Sequence, residues 1–357
     1  MITVQKTDFL NAIKAVKTAT AKAGLQPVLN TIHIKSENGG LTLTATDCTN
    51  STRAVIEANA LEPIDVCLNA DKLEAVVNRL NEEVTIEIDG ANALISSGNL
   101  KYKLMYIISS EFPTVKFDFN EENKIVLSAD EFCEVINKTS FAAFLDTNQN
   151  VLSGICFSFN EMGYRVACTD GNRLSVVERE NPYINIKGDY IFAKKILVDV
   201  SKYAKDEIEM YLTDKNVTIK TSNFVFSGAL LSGKFPEYLK LIPNEQPNIA
   251  TINTKDIITA IDNVAIMSDD RTNIVTLDFK GNQLELMTKS VDIGEAKDTI
   301  DIEFGKDLKI AFNYRYLVEV LKVIGTDTVT FEMGTSLSPC LIKSDFLYLI
   351  MPIQIRK

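Results

Sequence analysis

The chain has 357 residues, of which 46% are hydrophobic and 24% are charged, and its formal net charge is −11. One hydrophobic core rarely serves more than about 250–300 residues, so we expect two or three domains. The acidic balance argues against a protein that wraps nucleic acid by bulk electrostatics, because phosphate binding needs clustered Lys and Arg. Any contact with DNA must therefore be local, weak or topological.

Cysteine usage and the N-terminus indicate the compartment. The six cysteines include no pair at C-x-x-C spacing, which predicts free thiols rather than a disulfide framework. Residues 1–6 lack the charged-then-apolar layout of a signal peptide. No apolar run reaches the roughly 18 residues that a membrane helix needs. We predict a cytoplasmic protein without a membrane span.

The first third of the chain begins with a helix-period stretch at Phe9. A β-type run follows at 28–32, and the next strand ends in Thr46-Asp47. A short helix is predicted at 71–80, and the alternation of apolar and polar residues at 84–88 predicts a further strand.

The same order returns twice along the chain. Helix-period stretches begin at Phe132 and Ile257, and short helices are predicted at 195–204 and 314–324. The polar pairs that match Thr46-Asp47 are Thr169-Asp170 and Thr288-Lys289, and the threonines lie 123 and 119 residues apart. Phe112-Pro113 and Phe235-Pro236 are also 123 residues apart. We predict three similar α+β domains at 1–125, 126–248 and 249–357, with antiparallel sheets and helices on one face.

Three of these helices show Lys or Arg on the face opposite their apolar stripe. The residues are Lys14 and Lys22 with the first helix, Lys202 and Lys205 with the helix near 200, and Arg315 and Lys322 with the last helix. Taken alone, the pattern is typical of solvated helix faces. A role toward DNA needs an independent reason to bring the helices together around a duplex.

Two motifs supply that reason by resemblance. Residues 167–176, Ala-Cys-Thr-Asp-Gly-Asn-Arg-Leu-Ser-Val, resemble the Ala-Thr-Asp-Gly-His-Arg-Leu-Ala run of the β subunit of bacterial DNA polymerase III, the sliding clamp. The ending Tyr-Leu-Ile-Met-Pro-Ile at 348–353 is similar to that family's apolar-Met-Pro ending. Gly-Lys-Phe-Pro-Glu-Tyr at 233–238 and Ala-Phe-Asn-Tyr at 311–314 support the match, which spans the chain.

The resemblance implies a head-to-tail homodimeric ring of DNA-clamp domains, with helices lining a central pore and antiparallel sheets outside. It implies duplex DNA, a clamp loader, the replicative polymerase and other proteins with a clamp-binding motif as partners. It implies no catalytic residue, no cofactor and no metal. Retention on DNA would be topological, since tight phosphate contacts would oppose sliding.

The resemblance also implies a hydrophobic pocket for a short partner peptide rich in Gln, Leu and Phe. The residues that it assigns to the pocket are Leu152, Thr169, Gly171, Asn172, Arg173, Leu174, Pro236, Lys240, Leu241, Tyr316, Leu349, Ile350, Met351, Pro352 and Ile353. Without the resemblance, Leu174 and Ile350 are ordinary strand core. Asn172 stands where the family usually has His, and the loop at 22–25 lacks an arginine that some members place near DNA.

The dimer interface follows from the same resemblance. An edge strand near 103–108 is expected to pair with an edge of the third domain, which would cover unpaired backbone groups. Tyr106, Ile107, Ile266 and Met267 are assigned to this interface.

Two other classes stay open. An enzyme would have to rely on scattered carboxylates such as Asp298 and Asp301, which we place in acidic loops. The one histidine, His33, lies in an alternating strand, and no phosphate loop, dinucleotide motif or zinc cluster occurs. A general scaffold built of repeats needs neither the basic helix faces nor the 169–174 run.

Overall fold

The computed structural model describes residues 1–21, 24, 26–37, 39–144, 150–269, 271–304 and 306–354. The chain divides into two compact units, and each is built from two stretches of sequence. Unit one holds Met1–Cys133 and Lys195–Leu230, and unit two holds Glu134–Lys194 and Leu231–Lys357.

Short helices and strands alternate along the described residues. The helices are α1 (Lys6–Lys17), α2 (Ala70–Arg79), α3 (Ala129–Thr139), α4 (Lys194–Ser201), α5 (Thr254–Ala265) and α6 (Tyr314–Val323). The strands are β1 (Ile2–Gln5), β2 (Thr31–Glu37), β3 (Gly40–Thr46), β4 (Ser51–Glu57), β5 (Asn59–Ala60), β6 (Asp65–Asn69), β7 (Glu83–Asp89), β8 (Asn92–Ser97), β9 (Leu100–Ile108), β10 (Lys124–Ser128), β11 (Gly154–Asn160), β12 (Gly163–Thr169), β13 (Arg173–Glu180), β14 (Gly188–Ala193), β15 (Glu207–Leu212), β16 (Asn216–Thr221), β17 (Phe224–Ala229), β18 (Asn248–Asn253), β19 (Ile274–Lys280), β20 (Gln283–Ser290), β21 (Gly294–Asp301), β22 (Leu308–Asn313), β23 (Thr328–Met333), β24 (Cys340–Lys343) and β25 (Leu347–Ile350).

The element order repeats three times. Each repeat runs strand, helix, four strands, helix, three strands, and the two-residue strand β5 is an addition in the first repeat. The prediction of three similar α+β repeats is confirmed by this order. All ladders between the described strands are antiparallel, as the alternating strand pattern predicts.

Local sequence explains where the helices begin and which face they bury. Asparagine side chains cap three of them: Asn69, Asn253 and Asn313 each accept a hydrogen bond from a backbone N–H in the first turn of α2, α5 and α6. In α1, the stripe that includes Phe9 and Ile13 is buried, as its spacing predicts.

Unit one is organised by one 13-stranded sheet, in the order β10-β15-β16-β17-β4-β3-β2-β6-β9-β8-β7-β1-β5. Strand β17 of the second repeat pairs with β4 of the first, so strands of both repeats share this sheet. Helices α1 and α2 pack side by side, and Lys17 Nζ binds Asp71 (2.6 Å) and Glu74 (2.7 Å) across them. These hydrogen bonds raise the pKa of Lys17.

Unit two contains an eight-stranded sheet, β14-β11-β12-β13-β25-β24-β23-β18, and a four-stranded sheet, β21-β20-β19-β22. Strand β25, near the end of the chain, pairs with β13 of the second repeat. Helix α5 packs against β20, β21 and α6. The β13–β25 ladder brings together the two motifs that carry the family resemblance.

Three details differ from the sequence-based expectations. The β-type runs at 28–32 and 151–155 begin with 3-10 turns, Pro27–Asn30 and Val151–Ser153, before β2 and β11 start. Asn150 stabilises the second turn by accepting the N–H of Leu152 at 2.6 Å. Asp298 and Asp301 lie on strand β21 and not in loops.

The third difference concerns the helix predicted at 195–204, which ends at Ser201. Lys202 and Lys205 therefore lie in the connection to β15 and not on a helix face. The backbone N–H groups of Lys202 and Tyr203 donate to the carbonyls three residues earlier, which closes the last turn. The Tyr203 ring packs against Phe224, with ring centroids 5.1 Å apart. Tyr203 is partly buried by this packing, which continues the apolar period beyond the helix and explains the overlong prediction.

Candidate functional site

The turn between β12 and β13 is held by its own side chains. Thr169 Oγ1 donates to the carbonyl of Arg173 (2.6 Å) and accepts the N–H of Gly171 (3.1 Å). Asp170 Oδ1 accepts the N–H groups of Asn172 (2.9 Å) and Arg173 (3.1 Å). Gly171 has φ +90°, a conformation that glycine adopts at little steric cost. The motif residues thus build a rigid hairpin end.

The first repeat contains the same turn. Thr46 Oγ1 donates to the carbonyl of Asn50 (3.0 Å) and accepts the N–H of Cys48 (3.0 Å). Asp47 Oδ1 accepts the N–H groups of Thr49 and Asn50. Cys48 has φ +71°, at the position that Gly171 occupies in the second repeat. The Thr-Asp echo in the sequence therefore reflects a shared three-dimensional turn.

Arg173 lies at the centre of a buried polar network, with 5% of its surface exposed. Its guanidinium donates to Asp170 Oδ2 (2.9 Å) and to the carbonyl of Phe141 (2.7 Å), and it pairs with Glu319. It also stacks on the ring of Tyr316, 4.1 Å from the centroid. Burial alone lowers the pKa of Arg173, but neighbouring Tyr348 and the charge of Glu319 outweigh it and raise that pKa. Arg173 therefore joins the β12–β13 turn to helix α6.

An apolar cluster forms beside this network. Leu174 and Leu349 are paired across β13 and β25, and both are buried in it. The other buried members are Cys156, Ala167, Val176, Ile191, Phe235, Tyr238 and Leu341. Val151, Leu231, Ile242 and Leu347 pack against its margin. The structure thus brings together two residues of the predicted pocket with side chains from neighbouring strands and the 235–242 segment.

The segment after β25 is held in place by two backbone hydrogen bonds. The N–H of Met351 donates to the carbonyl of Asn172 (2.8 Å), and the N–H of Ile353 donates to the carbonyl of Ala311 (2.7 Å). Ile350 is buried, whereas 41% of the Met351 surface is exposed. Pro352 and Ile353 are half-buried. Met351 is therefore a solvent-facing thioether beside a fixed backbone.

The remaining predicted pocket residues lie at the surface of unit two. Pro236, Lys240 and Leu241 are exposed in and next to the 3-10 turn Tyr238–Leu241. Lys240 pairs with Glu237. Leu152 is half-buried in the 3-10 turn before β11. Leu241 is 65% exposed and therefore presents an apolar side chain to solvent.

Burial shifts the pKa values of ionisable groups close to this cluster. It raises the pKa of the Cys168 thiol to about 12 and raises the pKa of the Tyr348 phenol. It lowers the pKa of Lys194. Cys168 and Tyr348 are both fully buried, so neither side chain is presented to solvent.

Sequence reasoning missed several members of the cluster. Phe235 and Tyr238 are buried in it, although only Pro236 of that run was assigned to the pocket. The Gly-Lys-Phe-Pro-Glu-Tyr run at 233–238 was the available signal, because its aromatic residues flank the proline. Ile191 and Val176 gave no such signal, since apolar residues in β-type runs are ordinary core.

The predicted basic residues differ in their surroundings. Lys14 is exposed on α1, and Lys322 is exposed in the last turn of α6. Arg315, in the first turn of α6, donates to Tyr314 Oη at 3.5 Å. Lys202 Nζ binds Asp199 Oδ1 at 2.8 Å, which partly neutralises it, and Lys205 lies before β15. Lys22 lies outside the described residues.

The strands near the predicted dimer interface have unpaired edges among the described strands. Within those strands, residues 100–105 of β9 pair only with β8, while Tyr106 and Ile107 pair with β6. On the side of β9 away from β8, Leu100–Met105 therefore has no ladder partner among the described strands, and this stretch overlaps the predicted edge near 103–108. Strand β21 is the outer strand of its sheet. Ile266 is 75% exposed, just after α5, and Met267 follows it.

Membrane-spanning and metal-binding features are both absent from the described part of the chain. No helix there has the length and apolar character needed to cross a bilayer. No group of three or more His, Cys, Asp or Glu side chains is arranged to hold a metal ion among those residues.

Comparison with known proteins gives a consistent picture. Three family models match in series: the N-terminal domain of the DNA polymerase III beta subunit at 1–116, its central domain at 126–237 and its C-terminal domain at 239–354. A beta sliding clamp of Chlamydia muridarum is 26% identical over 99% of this chain and 98% of its own length.

Solved structures agree at the level of the fold. The sliding clamp (DNA polymerase III subunit beta) of Pseudomonas aeruginosa, solved bound to griselimycin, has a TM-score of 0.92 at 24% identity and covers 99% of both chains. The DNA polymerase III beta subunit of Thermotoga maritima has a TM-score of 0.92 at 23% identity, again over 99% of both chains. The fold is the three-domain clamp fold.

Proposed function

Because this chain belongs to the DNA polymerase III beta subunit family, we propose that it is a sliding clamp: a processivity factor that encircles duplex DNA and tethers the replicative polymerase to it. The observation that carries the proposal is the match of all three family domains, in order, from residue 1 to residue 354. The full-length likeness to beta sliding clamps supports the same function. We propose domain boundaries at 1–125, 126–248 and 249–357.

In this proposal DNA is held by enclosure and not by tight binding. Lys14, Lys205 and Lys322, together with Arg315, supply a few cationic contacts in a chain with net charge −11. Such contacts are screened beyond about 8–10 Å at physiological salt, so they guide DNA without stalling it. The pairing of Lys202 with Asp199 makes Lys202 the weakest candidate.

Partner proteins are proposed to dock on the surface around Leu174 and Met351. A short peptide would place apolar anchors against the buried cluster, while Met351 adapts to different side chains. The fixed turn at 169–173 keeps this surface preorganised, which reduces the entropy lost on binding. The replicative polymerase, a clamp loader and other proteins with a clamp-binding motif are the proposed occupants.

The ring is proposed to close by strand pairing between two copies. The β9 edge at Leu100–Met105 and the outer edge of β21 each leave backbone groups without a ladder partner among the described strands. In a head-to-tail dimer, the β9 edge of each copy pairs with the β21 edge of the other. The same interface therefore forms twice and closes the ring. Tyr106, Ile107, Ile266 and Met267 remain the predicted side chains around it.

We further propose that the protein works in the cytoplasm and has no catalytic activity of its own. The family is that of a processivity factor, whose contribution is to hold other proteins on DNA.

The dimer can be tested with a charge placed on the β9 edge. Met105 is 82% exposed, so Met105→Glu should fold normally, yet it would bury a charge in the proposed interface. Sedimentation velocity should show a dimer for the wild type and at least a tenfold weaker dimer for the variant. Met162→Glu, at a side chain 73% exposed, is the matched control. Equal dimer affinity for Met105→Glu and wild type would exclude this edge.

A further inference from the structure

Unit one contains a groove that the proposed function does not use. It has a volume of about 680 Å³, within the range of about 300–1,000 Å³ typical of ligand sites. Strands β2, β3, β4 and β6 form its floor, and the segment at 109–115 forms one wall. The lining side chains with the most distinctive chemistry are His33, Lys35, Thr44, Arg53, Asp65 and Phe112.

This groove corresponds to the apolar cluster of unit two. The β2–β3–β4 ladders match the β11–β12–β13 ladders residue by residue, with an offset of 123. The matched positions across the three strands are His33, Thr44 and Arg53 in the first repeat and Cys156, Ala167 and Val176 in the second. The first repeat thus offers a second cleft with the same backbone plan.

The wall of the groove is matched in the same way. Phe112-Pro113 and Phe235-Pro236 are separated by the same offset. Phe112 lines the groove, and Phe235 belongs to the apolar cluster. An aromatic side chain is therefore kept at this position while the floor changes from apolar to polar.

Among the described residues, the polar floor carries one cation without an ion pair. Lys35 pairs with Glu37, and His33 Nε2 lies 2.6 Å from Asp65 Oδ1. Arg53 has no ion pair within the described ranges, and its buried Nε has no hydrogen-bond partner there. The guanidinium is held over the Phe117 ring at 4.6 Å.

The chemistry of the unpaired guanidinium points to a ligand. A carboxylate is the acceptor that a guanidinium pairs with most strongly, because it can accept two parallel hydrogen bonds from the planar fork. The acidic side chains Glu37 and Asp65 lie in the same groove and repel further negative charge. A single carboxylate is therefore favoured over a polyanion such as a nucleic acid.

We propose that this groove binds an extended peptide segment of a partner protein that carries one carboxylate side chain next to an apolar one. The carboxylate binds the guanidinium of Arg53, and the apolar side chain packs on Phe112. The idea of a peptide cleft rests on the proposed function of the surface around Leu174, but the binding chemistry is different. The clamp therefore has two docking surfaces per chain, one apolar and one that selects an acidic residue.

The test uses two synthetic probes on the full-length protein. One is acetyl-Gly-Leu-Glu-Phe-Gly-amide, and the other has Gln in place of Glu. Isothermal titration calorimetry should show at least tenfold tighter binding of the glutamate peptide. Arg53→Gln should remove this preference, and Arg53→Lys should restore part of it, because Lys keeps the charge but not the planar fork. Hydrogen exchange should show protection at 109–115 on binding.

Three results would overturn the proposal. The first is no binding of the glutamate peptide at 1 mM, the second is equal affinity for the two peptides in the wild type, and the third is unchanged affinity in a folded Arg53→Gln variant. The comparison of the two peptides on the wild type decides the matter even where Arg53→Gln does not fold.

A separate arm distinguishes this site from the apolar surface. A peptide rich in Gln, Leu and Phe should lose affinity with Met351→Ala and not with Arg53→Gln. Loss of glutamate-peptide binding in Met351→Ala would place that peptide on the apolar surface and would refute the second site. If the Gln-Leu-Phe peptide does not bind but the glutamate peptide does, the result counts against the proposed function and not against this groove.

Discussion

Arg173 fixes the geometry of a surface although its own side chain is almost completely buried. Its guanidinium binds Asp170, Glu319 and the carbonyl of Phe141, and these groups come from a turn, a helix and a 3-10 segment. Removing the cation leaves Asp170, itself nearly buried, without its charge partner. Loss of one partner of a buried ion pair costs more than the pair contributes to stability.

We therefore expect Arg173→Met to lower the free energy of unfolding by about 3–5 kcal/mol. The control is Arg271→Met, which removes an Arg–Asp pair from an exposed site and should cost less than about 1 kcal/mol. Urea unfolding of both variants measures the difference. If Arg173→Met costs no more than Arg271→Met, the network does not hold the turn.

Met351 and Leu174 are both assigned to the proposed docking surface, but they differ in burial. Met351 is 41% exposed, so Met351→Ala should leave the melting temperature nearly unchanged. We expect it to weaken a Gln-, Leu- and Phe-rich peptide at least about tenfold, which corresponds to about 1.4 kcal/mol of lost contact. Fluorescence anisotropy measures the affinity. Met162→Ala, in the turn between β11 and β12, is the matched control, and equal effects of the two would contradict the assignment.

At the scale of elements, cross-strand ion pairs stabilise the sheet of unit one. Glu209 on β15 binds Lys124 on β10 (2.5 Å) and Lys220 on β16 (2.8 Å). The hydrogen bonds from Lys124 and Lys220 lower the pKa of Glu209 to about 2. Its side chain is 23% exposed, so solvent screens part of this interaction.

The sign of the pH dependence follows from that shift. Because the folded pKa of about 2 lies below the ordinary value of 4.5, the stabilisation is complete above about pH 4.5 and is lost as the pH falls toward 2. Glu209→Gln should cost about 1–2 kcal/mol at pH 7 and much less at about pH 2.5, after allowance for screening.

Urea titrations of wild type and Glu209→Gln at these two pH values measure the difference. Glu207→Gln, in the same strand, changes an exposed carboxylate that has no ion pair within the described residues, and it should leave stability nearly unchanged. A difference between wild type and Glu209→Gln that stays constant with pH would contradict a stabilising role for the ionised carboxylate.

Element order was predictable because periodicity and turn chemistry are local. The helices at 71–80 and 314–324 lie within one residue of α2 and α6 at both ends. The predicted helix near 200 was too long because the partly buried Tyr203 packs against Phe224 from the turn that follows the helix. The pairing of Tyr106 with Leu68 was not predicted, because a ladder partner so distant in sequence is not revealed by local pattern.

At the scale of the whole molecule, three repeats are distributed over two compact units because strands of the second repeat extend two different sheets. The repeats were predictable from the sequence but this sharing was not, since β13 and β25 are paired across a sequence separation of about 175 residues. The proximity of Leu174 and Leu349 could therefore be predicted only from the family resemblance. The polar groove around Arg53 was not predicted, because its lining residues are individually ordinary strand residues.

The acidic net charge of the chain is compatible with the proposed function if DNA is held by enclosure. A chain of net charge −11 binds DNA weakly by electrostatics, but a closed ring needs no strong contact to remain on a circular duplex. We therefore expect retention to depend on the topology of the DNA and not on its sequence or on the affinity of any one lysine.

The most direct measurement is retention on DNA of controlled topology. The protein is loaded by its clamp loader onto nicked circular DNA, the complex is isolated by gel filtration, and half of it is linearised with a restriction enzyme. We predict that the clamp stays with the circle and leaves the linear form within minutes. Equal loss from both forms, or equal retention on both, would contradict the claim that this protein holds DNA by encircling it.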